Sequence, residues 1–319
     1  MTHLTLGLRP LARLTTIALA AITAVSLAPR ALAQVEAQPR LEDGKVWAYD
    51  LSLDLTVAQD ERVFRVVQGA RLRLTTIEVD DEGSARVRAA FDRLTMLWAA
   101  PPDEQLQFEW RREDDPDAAK AASANEAFTK LCRALAGGTF EFTVGPDGGV
   151  TNLSGLETAL QVLEDREGEG LSRSMLGLFE PSQLPETLAP IWTGDGLAGR
   201  RVREGQGWQS SRRTPAGPAG ALEFTTDWVV TSIMDDRVEA RAEESAQVLR
   251  PSVSDSATPS IEIREFGGAI ELIWDRNEGC LARRGVDRRM AAVWTMGDLT
   301  ITQTQTARSR LSRVSVAAD

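Results

Sequence analysis

The chain has 319 residues, with 47 acidic and 36 basic side chains and a net charge of −11. This acidity argues against nucleic acid or an anionic membrane as a partner, because both bind basic surfaces. The single histidine is His3, in the N-terminal segment described next, so the rest of the chain has no residue for a Ser-His-Asp triad or a histidine-ligated zinc site. Carboxylate chemistry, a Ser-Lys pair and calcium bound by oxygen ligands stay open.

Residues 1–33 have the pattern of a secretory signal peptide. Arg9 and Arg13 precede the apolar run Leu14–Leu27, which is shorter than the about 20 residues that a membrane-spanning helix needs. An A-x-A sequence follows, which predicts cleavage after Ala33. The alternative is a buried N-terminal helix. We therefore expect a periplasmic or extracellular protein, without a membrane span in the mature chain and with a net charge near −14.

A polar lead-in over residues 34–45 precedes residues 46–193, a predicted first half of β-meander with helices. Apolar residues alternate with polar ones from Val46 onward, as in half-buried strands. Asp80–Gly83 has the composition of a hairpin turn. The strands predicted on either side of this turn are Trp47–Val57, Val63–Gly69, Ala70–Val79 and Ala85–Trp98.

Pro101–Asn125 is predicted to be an acidic loop. Its carboxylates between Glu113 and Asp117 lack the D-x-[DN]-x-[DN]-G spacing of a calcium loop, which favours a solvated run of charges. A short helix is predicted over Asn125–Ala136, ending at two glycines.

The glycine-rich stretch Gly145–Gly149 resembles a phosphate-binding loop but lacks the G-K-[ST] ending. Thr139–Val144 alternates before it and a return strand starts at Val150, so we predict a hairpin turn. The next helix is predicted to begin at Ser154, with Glu157 completing a capping box.

Leu171–Pro190 predicts one more short helix and then an extended crossover. Residues 194–220 are rich in glycine, arginine and proline and predict a flexible loop. Residues 221–319 form a predicted second β-meander half. Its predicted strands are Ala221–Ile233, Arg237–Val248, Ile261–Phe266, Ala269–Asp275, Gly279–Gly285 and Arg288–Thr306.

These patterns predict an α+β fold that is mainly antiparallel β, with curved meander sheets covered by two or three short helices. The two meanders follow the same scheme, so the fold is either a duplicated half-barrel or two hairpin systems that are alike only in being long. Cys132 and Cys280 are the two cysteines. In an oxidising compartment they either form a disulfide or remain two buried free thiols.

Short motifs in the middle of the chain carry a resemblance. Leu184-Pro185, Pro190 and Gly205-x-Gly207 followed by Trp208 come in this order after a secretion signal and a meander. In this the chain resembles a family of uncharacterised bacterial secreted β-rich proteins, known as a domain of unknown function. A more distant likeness, at the level of fold, is to periplasmic lipoprotein carriers. The resemblance implies an exported β-rich domain and carries over no functional residues.

Three functions are compatible with this sequence. The first is a non-enzymatic protein of the cell envelope that binds a hydrophobic ligand or a protein partner, without a cofactor or metal. Most tryptophans are then expected in the core and some in the lining of an apolar cavity. The second is a carboxylate-based hydrolase, and the third a structural interaction module that presents sheet edges. The carboxylates that lie beside tryptophans are Glu109, Glu223, Asp227 and Asp275.

Overall fold

A computed structural model describes residues 34–101, 104–113, 120–121, 125–165, 173–216, 219–250 and 259–316. The predicted signal peptide and most of the acidic run that ends at Asp117 lie outside these residues. The strands are β1 Val35–Glu36, β2 Val46–Gln59, β3 Arg62–Val79, β4 Ala85–Ala100, β5 Glu104–Arg111, β6 Lys120–Ala121, β7 Thr139–Val144, β8 Val150–Ser154, β9 Arg201–Val202, β10 Gly207–Pro215, β11 Ala221–Ile233, β12 Arg237–Leu249, β13 Ser260–Asp275, β14 Cys280–Met296 and β15 Leu299–Val314.

Thirteen strands form one curved, open antiparallel sheet. Its order is β10-β11-β12-β13-β14-β15-β2-β3-β4-β5-β6, and β7 and β8 branch from β4. The meander of strands β10 to β15 therefore joins the meander that starts at β2 through the β15–β2 pair, in which Leu311 lies opposite Leu51. The remaining strands, β1 and β9, form a separate two-stranded sheet. The predicted α+β class with a mainly antiparallel sheet is confirmed.

Short helices follow the hairpins of the first meander. Asn125 caps the first helix by accepting a hydrogen bond from Phe128 N at 2.9 Å, as an N-cap residue does. The helices are α1 Glu126–Ala136, α2 Glu157–Asp165, α3 Leu184–Leu188 and α4 Pro190–Thr193, with 3₁₀ turns at Arg173–Phe179 and Gly194–Gly196. The segment from Arg173 to Gly196, called the helical connection below, lies between strands β8 and β9 in the chain.

One face of the large sheet, called the inner face below, carries the core. Alternate residues of each strand point to it, so apolar side chains recur at every second position of these strands. Tyr49, Leu72 and Leu74 are fully buried there, in the same core cluster as Trp192 of α4. Its indole ring lies 6.3 Å from that of Trp47, edge to face, and 5.8 Å from the Phe142 ring.

Two predicted strand breaks do not exist. Strand β3 runs without interruption through Gly69, and β13 runs through Gly267 and Gly268. None of these glycines has a positive φ, so each adopts the extended backbone that any residue can adopt. At the end of the chain, Gly285 likewise lies inside β14, and a turn at Gly297 separates β14 from β15.

Two predicted loops contain strands. Within Pro101–Asn125, strand β5 buries Leu106, Phe108 and Trp110 on alternate positions. Within residues 194–220, strand β10 pairs with β11 from Gly207 to Pro215. The charged and small residues of these segments suggested loops, but both segments are stabilised by ladder hydrogen bonds to a neighbouring strand. The division of the chain into two halves stays a prediction.

Two predictions about helices were also wrong. The capping box at Ser154 does not form, because β8 extends to Ser154 and α2 begins at Glu157, whose carboxylate accepts from Gly155 N at 2.9 Å. The crossover predicted as extended is helical in α3 and α4. The glycine-rich turn was predicted correctly: Gly148 has a φ of 84°, and a Cβ there would lie 2.7 Å from the backbone of Trp192.

Both cysteines are buried free thiols in this structure. Cys132 lies on α1, with its Sγ 3.5 Å from Met96 Sδ, whereas Cys280 begins β14 and accepts a hydrogen bond from Arg313. Each sulfur packs against a different part of the core here, and a disulfide between the two stays a prediction. Burial raises the pKa of both thiols.

Candidate functional site

A cavity of about 600 Å³ lies between the inner face of the sheet and the helical connection. Strands from both meanders line it, including β2, β10, β11, β13, β14 and β15. The residues that the helical connection contributes are Gly177, Leu178, Gln183, Glu186, Thr187, Pro190, Thr193, Asp195 and Gly196. Its size falls within the range of about 300–1,000 Å³ that is typical of small-molecule sites.

The helical connection is tied to the sheet by a buried glutamine. Gln68 of β3 is 0% exposed, and its amide donates to the carbonyl oxygens of Met175 and Leu176, each at 3.2 Å. Its carbonyl oxygen accepts from Leu178 N at 2.9 Å. Gly177 sits over this amide with a φ of 54°, and a Cβ there would lie 2.2 Å from Gln68 Oε1. Only glycine therefore permits this approach, which fixes one wall of the cavity.

A second wall is the turn Gly194–Gly196, whose three residues all have positive φ. Asp195, at 54°, is strained because it has a side chain. Its backbone oxygen accepts from Trp208 Nε1 at 3.2 Å, and its carboxylate accepts a short hydrogen bond from Arg284. A Cβ at Gly194 would lie 2.9 Å from the Trp274 ring. The turn thus holds the Asp195 carboxylate at the cavity, where it pairs with the Arg284 guanidinium group of β14.

A second ion pair lies among the cavity residues. Glu244 is only 8% exposed, and both of its carboxylate oxygens accept hydrogen bonds from Arg288, Nη2 donating at 2.8 Å. Gly268 lies opposite Glu244 on the neighbouring strand, where a Cβ would be 2.8 Å from that of Glu244. The two hydrogen bonds of this bidentate pair compensate part of the cost of burying both charges.

Arg212 of β10 also lines the cavity, and its surroundings are different. Its one ion pair among the described residues is with Glu186 Oε2 at 3.9 Å, which is too long for a hydrogen bond. The guanidinium carbon lies 4.9 Å from the centre of the Phe224 ring, a cation–π contact. Burial, together with the neighbouring charge of Arg288, lowers the pKa of Arg212.

The rest of the lining combines apolar side chains with hydroxyl groups. Leu53 and Ile270 line it, and so does Trp228, whose ring stacks on that of Trp208 with centroids 5.3 Å apart. Ser309 stands between Leu53 and Val286 in the strand register. The cavity therefore has an apolar surface beside four arginines. Three of them, Arg284, Arg288 and Arg310, are paired with carboxylates.

The carboxylates considered for a hydrolase do not meet at this site, and none of them lines the cavity. Glu109 is on β5, where Arg111 lies 3.8 Å away. Glu223 and Asp227 are on β11 and bind Arg213 and Gln209 of β10. Asp275 ends β13 and binds Arg313. Each carboxylate has its own neighbouring partner, so the described residues contain no acid–base pair built from these four.

The tryptophans are mainly core residues. Of the eight, only Trp98 and Trp294 are more than 9% exposed, and Trp228 alone lines the cavity. The arginines, in contrast, were missed because arginine in a strand is expected to face solvent. A signal was present in β14, where Arg288 has the same parity as the buried residues Val286 and Met290, and Arg289 has the opposite parity.

Neither a protein-family model nor a curated protein matches the chain. Among solved structures, a match titled "Lipid-protein interactions in lipovitellin" has 10% identity and a TM-score of 0.41 over 88% of this chain and 26% of that one. The chain thus spans about a quarter of that protein. A β-barrel-like protein of a domain of unknown function from Brucella abortus has 10% identity and a TM-score of 0.12, over 88% of this chain and all of that one. An outer membrane channel from Pseudomonas putida F1 has 9% identity and a TM-score of 0.23, with 88% and 100% covered.

All three TM-scores lie below 0.5, so these matches establish neither a shared fold nor a shared function. In the described part of the chain, no helix is both long and apolar enough to cross a membrane. The same residues contain no group of three or more histidine, cysteine or carboxylate side chains arranged to hold a metal ion.

Proposed function

We propose that this chain is an exported, non-enzymatic protein that binds a small hydrophobic or amphipathic molecule in the cavity between the inner face and the helical connection. The observation that carries the proposal is the cavity of about 600 Å³ left open beside a well-packed core. Protein interiors normally close such spaces, because each unfilled volume costs stability. An open cavity of this size between ordered elements is therefore characteristic of a ligand site.

The lining supports an amphipathic rather than a purely apolar ligand. Leu53, Ile270 and Trp228 provide apolar contact area, while the hydroxyl groups of Ser210 and Thr226 can orient a polar group. Export follows from the signal-peptide pattern of residues 1–33. It is tested by sequencing the N-terminus of protein recovered from the periplasm, which should begin at Gln34 if cleavage follows Ala33.

Ligand binding is tested by calorimetric titration with decanoate below its micellar concentration. We expect saturable binding to the wild type. The variant Ser309→Trp places an indole in the cavity between Leu53 and Val286 and should abolish binding while the protein stays folded. The matched control is Ser245→Trp, because Ser245 is exposed on β12 and does not line the cavity. Absence of binding to the wild type, or equal binding to both variants, would contradict the proposal.

A further inference from the structure

We infer that the ligand carries an anionic group and that Arg212 is the residue that binds it. This inference rests on the proposed function and adds the chemical class of the ligand. The three other arginines that line the cavity are Arg284, Arg288 and Arg310. Each has a carboxylate partner at hydrogen-bond distance, namely Asp195, Glu244 and Asp287 in that order. The guanidinium group of Arg212 makes no hydrogen bond among the described residues.

A partly buried guanidinium group without a hydrogen-bonded protein partner leaves its N–H donors to water or to a ligand. The side chain of Arg212 is 38% exposed, and the residue lines the cavity. The contact with Phe224 holds the planar group in place from one side. Its N–H groups are therefore available to a ligand, and the forked geometry suits a carboxylate or a phosphate.

The neighbouring charges explain why an exchangeable anion fits better here than a permanent partner. Glu186 belongs to α3 and its side chain is 51% exposed, so it can turn toward water when an anion arrives. Asp195 and Glu244 are each occupied by their own arginine. An alkyl chain bound at the anion would meet the apolar surface of Leu53 and Ile270 on the same inner face.

The test compares probes that have one alkyl chain and different head groups: decanol, decanoate and decyl phosphate. The wild type should bind at least one anion about tenfold or more tighter than decanol, the size of effect expected for one charge-assisted hydrogen-bonded pair. Arg212→Gln should remove this preference, so that the variant binds the anions no more tightly than it binds decanol. Arg213→Gln is the matched control, because Arg213 is the next residue of β10 and is exposed on the outer side, paired with Glu223.

Two further variants separate recognition from folding. Arg212→Lys keeps the positive charge but loses the fork, so it should retain a salt-dependent part of the anion preference. Glu186→Gln removes the competing carboxylate and should tighten anion binding, which a merely structural role for Arg212 does not predict. Binding of decanol as tight as that of both anions, or an anion preference that survives Arg212→Gln, would overturn this inference and leave the cavity proposal standing. If none of the three probes binds, both proposals fail.

Discussion

The inner face of the sheet is filled at one end and open in the middle, although the same strands pass through both regions. At the filled end, Tyr49, Trp192 and Trp274 are fully buried and belong to one core cluster. In the open region, Arg212, Glu244 and Arg288 take equivalent inward positions. The two regions differ in their inward side chains, which are aromatic at the filled end and charged in the open region. They also differ in the helical connection, which packs on the filled end and forms only the walls of the open region.

The largest expected effect is the loss of a covering side chain at the filled end. Trp192→Ala removes a fully buried indole that contacts Trp47 and Phe142, and it should lower the free energy of unfolding by about 3–5 kcal/mol. Urea denaturation followed by circular dichroism measures this change. Trp294→Ala serves as the control, because Trp294 is only partly buried in a small separate cluster and should cost less. Equal losses would mean that the filled end is not the main source of stability.

A smaller effect is expected at the link between the filled end and the cavity wall. Gln68→Leu leaves the backbone groups of Met175, Leu176 and Leu178 without their partner, which should cost about 1–3 kcal/mol. It should also weaken decanoate binding, because the helical connection is no longer held at its distance from the sheet. Gln107→Leu, on a partly exposed position of β5, should change neither quantity by a comparable amount. If Gln68→Leu binds decanoate as tightly as the wild type does, the Gln68 side chain does not set the shape of the cavity.

The smallest effect concerns pH. Burial on its own raises the pKa of Asp275, but hydrogen bonds from Glu278 N–H and Arg313 outweigh it and hold the pKa below its ordinary value. A lowered pKa in the folded state means that this carboxylate stabilises the protein above the unfolded pKa of about 3.9. That contribution is lost as the pH falls through the folded value.

We therefore expect the difference in unfolding free energy between the wild type and Asp275→Asn to be present near neutral pH. It should shrink as the pH is lowered from about 5 to about 2. Asp227→Asn, at an exposed carboxylate of β11, is the control. A difference between the wild type and Asp275→Asn that stays constant over this range would show that the Asp275 carboxylate does not contribute through its ionised form.

Much of the sheet could be predicted from sequence, because alternation is a direct consequence of strand geometry. Strand β4 and the β7–β8 hairpin follow their patterns closely. Strand β5 was missed although Leu106, Phe108 and Trp110 alternate, because the acidic residues around it dominated the composition. Strand breaks were predicted at Gly69 and at Gly267, but both strands run through these residues. Glycine alone therefore does not end a strand when both neighbouring strands continue.

The site was much harder to predict than the sheet. Alternation tells which of two adjacent arginines faces inward only when the bulges of a strand are known, and the β13–β14 pair has irregularities at Ile263/Glu265 and at Ile273/Trp274. The cavity also depends on the distance between the sheet and the helical connection, which Gln68 and Gly177 set across more than a hundred residues of sequence. A local sequence pattern cannot predict the distance between the sheet and the helical connection. The presence of a cavity could therefore be hypothesised, but its lining residues could not be named.

Native mass spectrometry of protein recovered from an exporting bacterial host shows whether the cavity holds a small amphipathic molecule. We expect the wild type to carry an additional mass that is released on denaturation, and Ser309→Trp from the same host to lack it. Ser245→Trp should carry the same additional mass as the wild type. A wild-type protein whose native mass equals that of the bare chain, or an additional mass that persists in Ser309→Trp, would contradict the claim.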